Sequence, residues 1–151
     1  MTNGVLVYIL KGAHILLAMK KRGFGVGRWN GTGGKVEFGE NARLAGIRET
    51  KEEIGLTPTL DKSLGTILYH DSKVGDWKVT VFRTEEFEGQ PVETDEMKPQ
   101  WFPVDQIPYA QMWSGDDQWL PYVISGQKFE AEMWFDGNER NIKADVRAVK
   151  E

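Results

Sequence analysis

An α+β fold built on a mixed or antiparallel sheet is what this sequence predicts. Short, β-prone apolar runs recur along most of the chain, and only two stretches carry helical periodicity. Strands and helices do not alternate regularly, as a parallel α/β sheet would require. The 151 residues suit one domain, 1–151, with enough chain to bury a core.

Residues 5–10 and 14–19 are β-prone runs joined through Lys11, Gly12 and Ala13, the pattern of a hairpin. Residues 20–34 set Lys20, Lys21, Arg22 and Arg28 among repeated glycines around Trp29 and Asn30, which predicts a loop whose backbone approaches something closely. Helical periodicity over 41–54 has Asn41 as its N-cap and Gly55 as its stop. Strands are expected over 63–69, 77–83, 100–104, 128–135 and 143–149, with Asp136-Gly137 as a turn between the last two. A shorter helix over 118–125, closed by Gly126, tolerates Pro121 near its first turn.

A formal net charge of -4 argues against a general grip on long nucleic acid, which relies on many basic residues. With no cysteine, and only His14 and His70 as histidines, disulfides, thiolate catalysis and Cys/His zinc sites are ruled out, so any metal is held by oxygens. No window approaches the roughly 18 apolar residues of a membrane span. The first ten residues also lack the basic start and cleavage site of a signal peptide, so no membrane partner and a cytoplasmic location are expected.

On a helix turning about 100° per residue, Leu44, Ile47 and Ile54 share one stripe, and Glu49, Glu52 and Glu53 fall on the opposite side. Their i, i+3 and i+4 spacing gathers carboxylates against a repulsion of roughly 0.2–0.5 kcal/mol per pair. A cation would offset that repulsion. Oxygen-only ligation suits Mg²⁺ or Mn²⁺. An isolated cluster of this kind reads more readily as a solvated helix face; here its surroundings reverse the balance.

Gly34-Lys35-Val36-Glu37-Phe38-Gly39-Glu40, followed after seven residues by Arg48-Glu49-Thr50-Lys51-Glu52-Glu53-Ile54-Gly55-Leu56, resembles the 23-residue Nudix box at nearly every defining position. The resemblance implies a Nudix fold, a mixed β-sheet sandwiched by helices, and a magnesium-dependent hydrolase, with Mn²⁺ as a possible substitute ion. It implies Glu49, Glu52 and Glu53 as helix ligands, a backbone oxygen from Gly33, and Glu40 with Arg48 as a supporting pair. The resemblance further implies that Glu96, in Glu93-Thr94-Asp95-Glu96-Met97, completes the metal site, so that Arg48, Glu49, Glu52, Glu53 and Glu96 form the expected catalytic set. Thr50 departs from the aliphatic residue usual in the family and Lys51 lies beside the apolar stripe, so a local packing cost is expected there.

The similarity extends beyond the box. Residues 20–31 and 101–108, with Met112-Trp113 and Trp119, look like the oxidised purine nucleoside triphosphate hydrolases, the 8-oxo-dGTP diphosphatase type. The implied substrate is an oxidised purine nucleoside triphosphate, cut to monophosphate and diphosphate by a monomer. The implied base readers are Asn30, Asp116 with Asp117, and Trp113; Lys20, Thr32, Gly33, Gly34 and Lys35 complete the substrate-binding set. An asparagine amide offers donor and acceptor to a purine edge, and adjacent aspartates do not easily both ionise in a dry pocket. Relatives place one residue between the tryptophan and the aspartate pair, whereas Ser114 and Gly115 intervene here. Asp116 is therefore the firmer match, and either Gly115 or Asp117 stands for the other acid. Helix capping is the competing role for Asp116 and Asp117. Tyr69 and Trp77 are candidates to line the pocket, while Phe24, Trp29 and Trp101 read as packing groups.

Alternatives are a Nudix hydrolase of an undamaged nucleotide, a dinucleoside polyphosphate or a nucleotide sugar, and a non-catalytic nucleotide or RNA-binding module. The complete glutamate set argues against the module. The glycine spacing of 23–28 breaks the dinucleotide fingerprint, and Gly33-Gly34-Lys35 lacks the Ser or Thr of a Walker A loop.

Overall fold

The computed structural model describes residues 1–150. Strands β1 (Thr2–Lys11) and β2 (His14–Lys20) form the expected hairpin, with Lys11 opposite His14. β3 (Trp29–Asn30) lies against β2, and β4 (Thr32–Lys35) runs antiparallel to β1 with Gly33 opposite Leu6. Helix α1 (Ala42–Ile54) follows, then β5 (Thr57–Pro58), β6 (Gly65–Asp71), β7 (Trp77–Thr84), β8 (Phe87–Glu88) and β9 (Met97–Pro103). Two 3₁₀ turns, Tyr109–Gln111 and Asp116–Gln118, lead into α2 (Leu120–Ser125), after which β10 (Phe129–Phe135) and β11 (Asn141–Ala148) form a hairpin.

Nine strands make one sheet in the order β11-β10-β6-β7-β1-β2-β3, with β4 also on β1 and β9 also on β2; β5 and β8 pair separately. β1 with β7, and β6 with β10, are parallel pairs in an otherwise antiparallel arrangement. Side chains alternate across a strand. β1 thus sends Val5, Val7 and Ile9 to one face, where they pack with Ala45, Ile54 and Phe82 beneath α1. Tyr8 and Leu10 go to the other face, against Trp119, Leu120, Val123 and Phe129 around α2. Cover on both faces is why β1 reads as a nearly unbroken apolar run.

Residues 20–34, expected as a loop throughout, end in β3 and β4. The close approach their glycines permit is to β1 itself: a Cβ on Gly33 would lie 1.9 Å from the Val5 carbonyl oxygen. The second helix starts later than expected because 116–118 close as a 3₁₀ turn, and Pro121 sits in its first turn. β5 and β8, at 2 residues each, are too short to leave a periodic signal.

α1 starts and stops where its caps dictate. The Asn41 side chain accepts from the Leu44 N–H at 2.8 Å, and Gly55 turns the chain out at φ 71°. Its buried face keeps Ile54 and, in part, Ile47 of the expected stripe but is otherwise turned away from it. Ala45, Gly46, Thr50, Glu53 and Ile54 are buried, whereas Leu44 is 45% exposed. The helix rides close to the sheet: a Cβ on Gly46 would meet Val7 Cγ2 at 2.9 Å, so small residues occupy the contact. Glu53 consequently points toward the sheet. The cost expected at Thr50 is met by hydrogen bonding, since its hydroxyl donates to the Gly46 carbonyl at 2.8 Å and accepts from Thr32 Oγ1 at 2.7 Å. Lys51 stays exposed.

Replacing Thr50 by Val should leave the Thr32 hydroxyl buried without a partner, a loss of about 1–3 kcal/mol readable as a lower midpoint in urea unfolding. Replacing Thr32 and Thr50 together by Val should recover most of that loss. A single variant as stable as the parent would show that this hydroxyl pair is not structural.

Candidate active site

The last turns of α1 lie against β4 and bring acids onto two successive glycines. The Gly33 N–H donates to Glu53 Oε1 at 3.1 Å, and Glu53 is only 4% exposed. A Cβ on Gly34 would lie 2.8 Å from Glu49 Oε2, so the absence of one makes room for that carboxylate. Burial raises the Glu53 carboxyl to about 8, with the charges of Glu49 and Glu96 adding to it and the Gly33 N–H opposing. Burial also raises Glu49, against the opposing pull of Arg48.

Arg48 gathers the surrounding acids. Its Nη2 donates to Glu40 Oε1 at 2.6 Å and to the Lys35 carbonyl at 3.2 Å, while Nε reaches Glu40 Oε2 at 3.1 Å. Its Nη1 donates to Glu49 Oε1 at 2.6 Å and to Glu52 Oε2 at 3.4 Å. This guanidinium holds the Glu40 carboxyl below the usual carboxylate range. Glu52 and Glu96 are exposed, the latter 3.9 Å from Arg22. The Thr94 hydroxyl donates to the Glu53 carbonyl at 2.8 Å, which ties the loop of Glu96 to α1.

Among the described residues no three His, Asp or Glu side chains stand close enough together to form a ready-made metal cage. The donor chemistry nevertheless fits a hard divalent cation. It is all oxygen, and two partly or wholly buried carboxylates are raised by burial and by each other's charge. An ion that keeps several waters and bridges a few carboxylates to phosphate needs no closed cage.

One cavity of about 330 Å³ runs from this acidic end, at Gly33, Gly34 and Glu53, past Lys20 to Asn30, Trp113 and Asp116. Asn30 Oδ1 accepts from the Tyr8 hydroxyl and from the Gly31 N–H, both at 2.8 Å. A backbone N–H only donates, which fixes the amide oxygen inward and leaves Nδ2 for the cavity. The donor-and-acceptor role expected of Asn30 is therefore reduced to a donor. Tyr8 was outside the expected set; its hydroxyl on an otherwise apolar strand is the only sequence signal that marks it.

Asp116 is 2% exposed and its Oδ2 has no hydrogen-bond partner. Burial, then the charge of Asp117, pushes its carboxyl well up, toward a neutral acid that donates. No side chain caps the Asp116–Gln118 turn. Asp117 is exposed and lies off the cavity. Gly115, at φ 95°, could not carry an acid either, because a Cβ there would lie 2.8 Å from both Asn141 and Met133. The expected aspartate pair is thus a single carboxyl in the pocket.

Of the other expected substrate residues, Thr32 and Lys35 do not line the cavity. The Thr32 hydroxyl is engaged with Thr50, and Lys35 is exposed while its carbonyl holds Arg48. Tyr69 and Trp77 do line it, and Gly4 makes room for the Trp77 indole, 3.0 Å from a Cβ placed there. Phe24, expected to pack, is 59% exposed and lines the cavity beside Trp113. Trp29 packs on Phe102 and Trp101 on Phe87, as expected. Arg28, also outside the expected set, lies over the Trp113 ring at 4.1 Å.

The NUDIX domain family matches residues 2–123 of the chain. The chain is 42% identical over 149 residues to the oxidized purine nucleoside triphosphate hydrolase of Danio rerio, covering 97% of this chain and 94% of the relative. It is 40% identical over 147 residues to the Mus musculus protein of the same name, covering 95% and 93%. Among solved structures, the MutT protein from Bacillus halodurans matches with a TM-score of 0.85 at 22% identity over 97% of each chain, a likeness of fold alone.

In the folded protein Glu53 keeps its proton up to about pH 8, whereas the unfolded chain loses it near 4.5. Folding is therefore progressively disfavoured between those two pH values, and the full penalty is present above them. Without metal, the Glu53→Gln variant should unfold at a higher temperature than the parent at pH 8, and the difference should vanish toward pH 4.5. Equal stability at both pH values would show that the carboxyl is not desolvated.

Proposed function

Because the chain belongs to the NUDIX domain family, we propose that it hydrolyses oxidised purine nucleoside triphosphates of the 8-oxo-dGTP and 2-hydroxy-dATP type. The products are nucleoside monophosphate and diphosphate, and the role is sanitation of the nucleotide pool, which prevents DNA damage. Mg²⁺ is the ion, with Mn²⁺ as a substitute, in a cytoplasmic monomer. The names of the Danio rerio and Mus musculus relatives support this choice of substrate. The observation that carries it is one continuous cavity with mutually repelling carboxylates at one end and a buried carboxyl with an unpartnered oxygen at the other.

Glu49, Glu52, Glu53 and Glu96, with the Gly33 carbonyl, would hold the ion. When bound, it neutralises charge on phosphate oxygens and supplies an activated water. Arg48 keeps Glu49 in place and the Gly33-Gly34 backbone lies open to phosphate. Lys20, whose charge is felt at Glu53, stands at the junction between phosphate and nucleoside. At the far end Asn30 Nδ2 donates to the base edge. A neutral Asp116 presents a hydroxyl donor beside a carbonyl acceptor, so one acid serves purine edges of either polarity. Trp113, Phe24 and Trp77 supply flat apolar surface.

The test is a turnover screen over oxidised and undamaged purine triphosphates, with and without Mg²⁺. The expected result is preferred, Mg²⁺-dependent release of diphosphate from the oxidised substrates. Binding without release in either condition would identify a non-catalytic module, and preference for undamaged, dinucleoside or sugar-linked substrates would redirect the specificity. In the same assay Glu53→Gln should lower kcat by at least about 100-fold. Asp116→Ala should lower kcat/KM for the oxidised base by roughly 10- to 100-fold and change the undamaged one far less; a uniform loss would place Asp116 in the scaffold.

A further inference from the structure

At the mouth of the cavity, three distant parts of the chain meet in contacts that phosphate hydrolysis does not require. The Arg28 guanidinium lies 4.1 Å from the centre of the Trp113 ring. The same guanidinium holds the Glu139 carboxylate with two hydrogen bonds, Nη2 to Oε2 at 3.1 Å and Nη1 to Oε1 at 3.4 Å. Phe24 packs 5.1 Å from the Trp113 ring, and Gly25 lets the indole in, since a Cβ there would stand 3.0 Å from it.

Glu139 occupies the turn between β10 and β11 and, among the described residues, is the only non-glycine with a positive φ, 66°. A β-carbon disfavours that region. The turn closes without the Glu139 carboxylate, because Asp136 Oδ1 accepts from the Asn138 and Arg140 N–H groups at 2.7 and 3.2 Å. The side chain that bears the strained backbone is thus the one that reaches Arg28. The same hairpin touches the Trp113 segment a second time, where the Asn141 N–H donates to Ser114 Oγ at 3.0 Å. Asn141 is itself fixed by the Trp134 and Lys143 carbonyls at 3.1 and 2.9 Å.

We propose that Arg28 and Glu139 are positioning residues for Trp113, so that the β10–β11 hairpin braces the base wall of the cavity and takes part in discriminating among nucleotide bases. A planar guanidinium stacks on the indole while its edge is held by the carboxylate, which fixes both the distance and the tilt of the ring. Lysine has neither the plane nor the fork to do this. Only the statement of what Trp113 stacks on rests on the proposed function; the latch itself rests on the contacts.

The test uses the full chain with Arg28→Lys, Glu139→Gln and Glu139→Gly. The first readout needs no turnover: the indole N–H resonance of Trp113 in ¹⁵N-labelled protein, assigned with Trp113→Phe. All three variants should move or broaden it, and about 0.5 M NaCl should move it by less in the parent, because the Arg28–Glu139 pair is only partly exposed. Glycine relieves the positive φ, so Glu139→Gly should match or exceed the parent in Tm, the opposite of what a purely structural role gives. With Mg²⁺ and 8-oxo-dGTP, Glu139→Gln and Glu139→Gly should raise KM about three- to tenfold with kcat within about twofold. The preference over dGTP should fall with it. An indole resonance unmoved by the variants and by salt overturns the latch, and so does a loss confined to kcat. If the parent does not turn over 8-oxo-dGTP, the proposed function fails, and the indole resonance still decides the latch.

Discussion

The short distance between α1 and the β1–β4 edge of the sheet controls the rest of the site. Gly46 lets the helix backbone approach Val7, and Gly33 lets β4 approach Val5, with no side chain fitting between. That closeness buries Glu53 against a backbone N–H and sets Glu49 over Gly34. Acids placed this way destabilise the chain on their own, since each is desolvated and each feels the other. The proposed cation would offset that cost, and without it burial and neighbouring charge raise both carboxyls. Arg48 offsets part of the repulsion from the rim without entering the buried contact.

The two ends of the cavity rest on opposite sides of the same strand. Val5 and Val7 of β1 face α1 and the acidic end, while Tyr8 faces the α2 side and fixes Asn30 at the Asp116 end. A register slip of one residue in β1 would exchange the two sets, so the hairpin with β2 and the ladder with β7 hold both ends at once. At the Asp116 end burial pushes the carboxyl up, the same physical cause that raises Glu53 at the other end. One acid has an oxygen without a hydrogen-bond partner, and the other is raised by burial and by its neighbours' charge.

Local chemistry was legible in the sequence. The Asn41 and Gly55 caps, the hairpin through Gly12 and the β10–β11 turn all follow from residues that act on their immediate neighbours. The Nudix resemblance carried Gly33, Glu49 and Glu53 to one place because their spacing along β4 and α1 is short. Periodicity placed Ile54 in the contact and Ile47 at its margin but turned the face too far toward Leu44, because it counts large apolar residues and ignores Ala45, Gly46 and Thr50. Pairings across long separations left no trace in the sequence. Thr32 with Thr50, Tyr8 with Asn30, and Arg28 with Glu139 each join elements whose approach is known only once the sheet is assembled. The aspartate pair failed for a related reason, since the space beside Gly115 is taken by Asn141 of the far hairpin.

The proposed function requires one nucleotide to span both ends of this cavity. A crystal structure with Mn²⁺ and a non-hydrolysable analogue of 8-oxo-dGTP tests it most directly. The expected result is manganese beside Glu49, Glu52 and Glu53 with the base against Trp113, Asn30 and Asp116 in the same molecule. Manganese bound elsewhere, or a base lying outside that wall while the phosphates sit at Gly33 and Gly34, would contradict it.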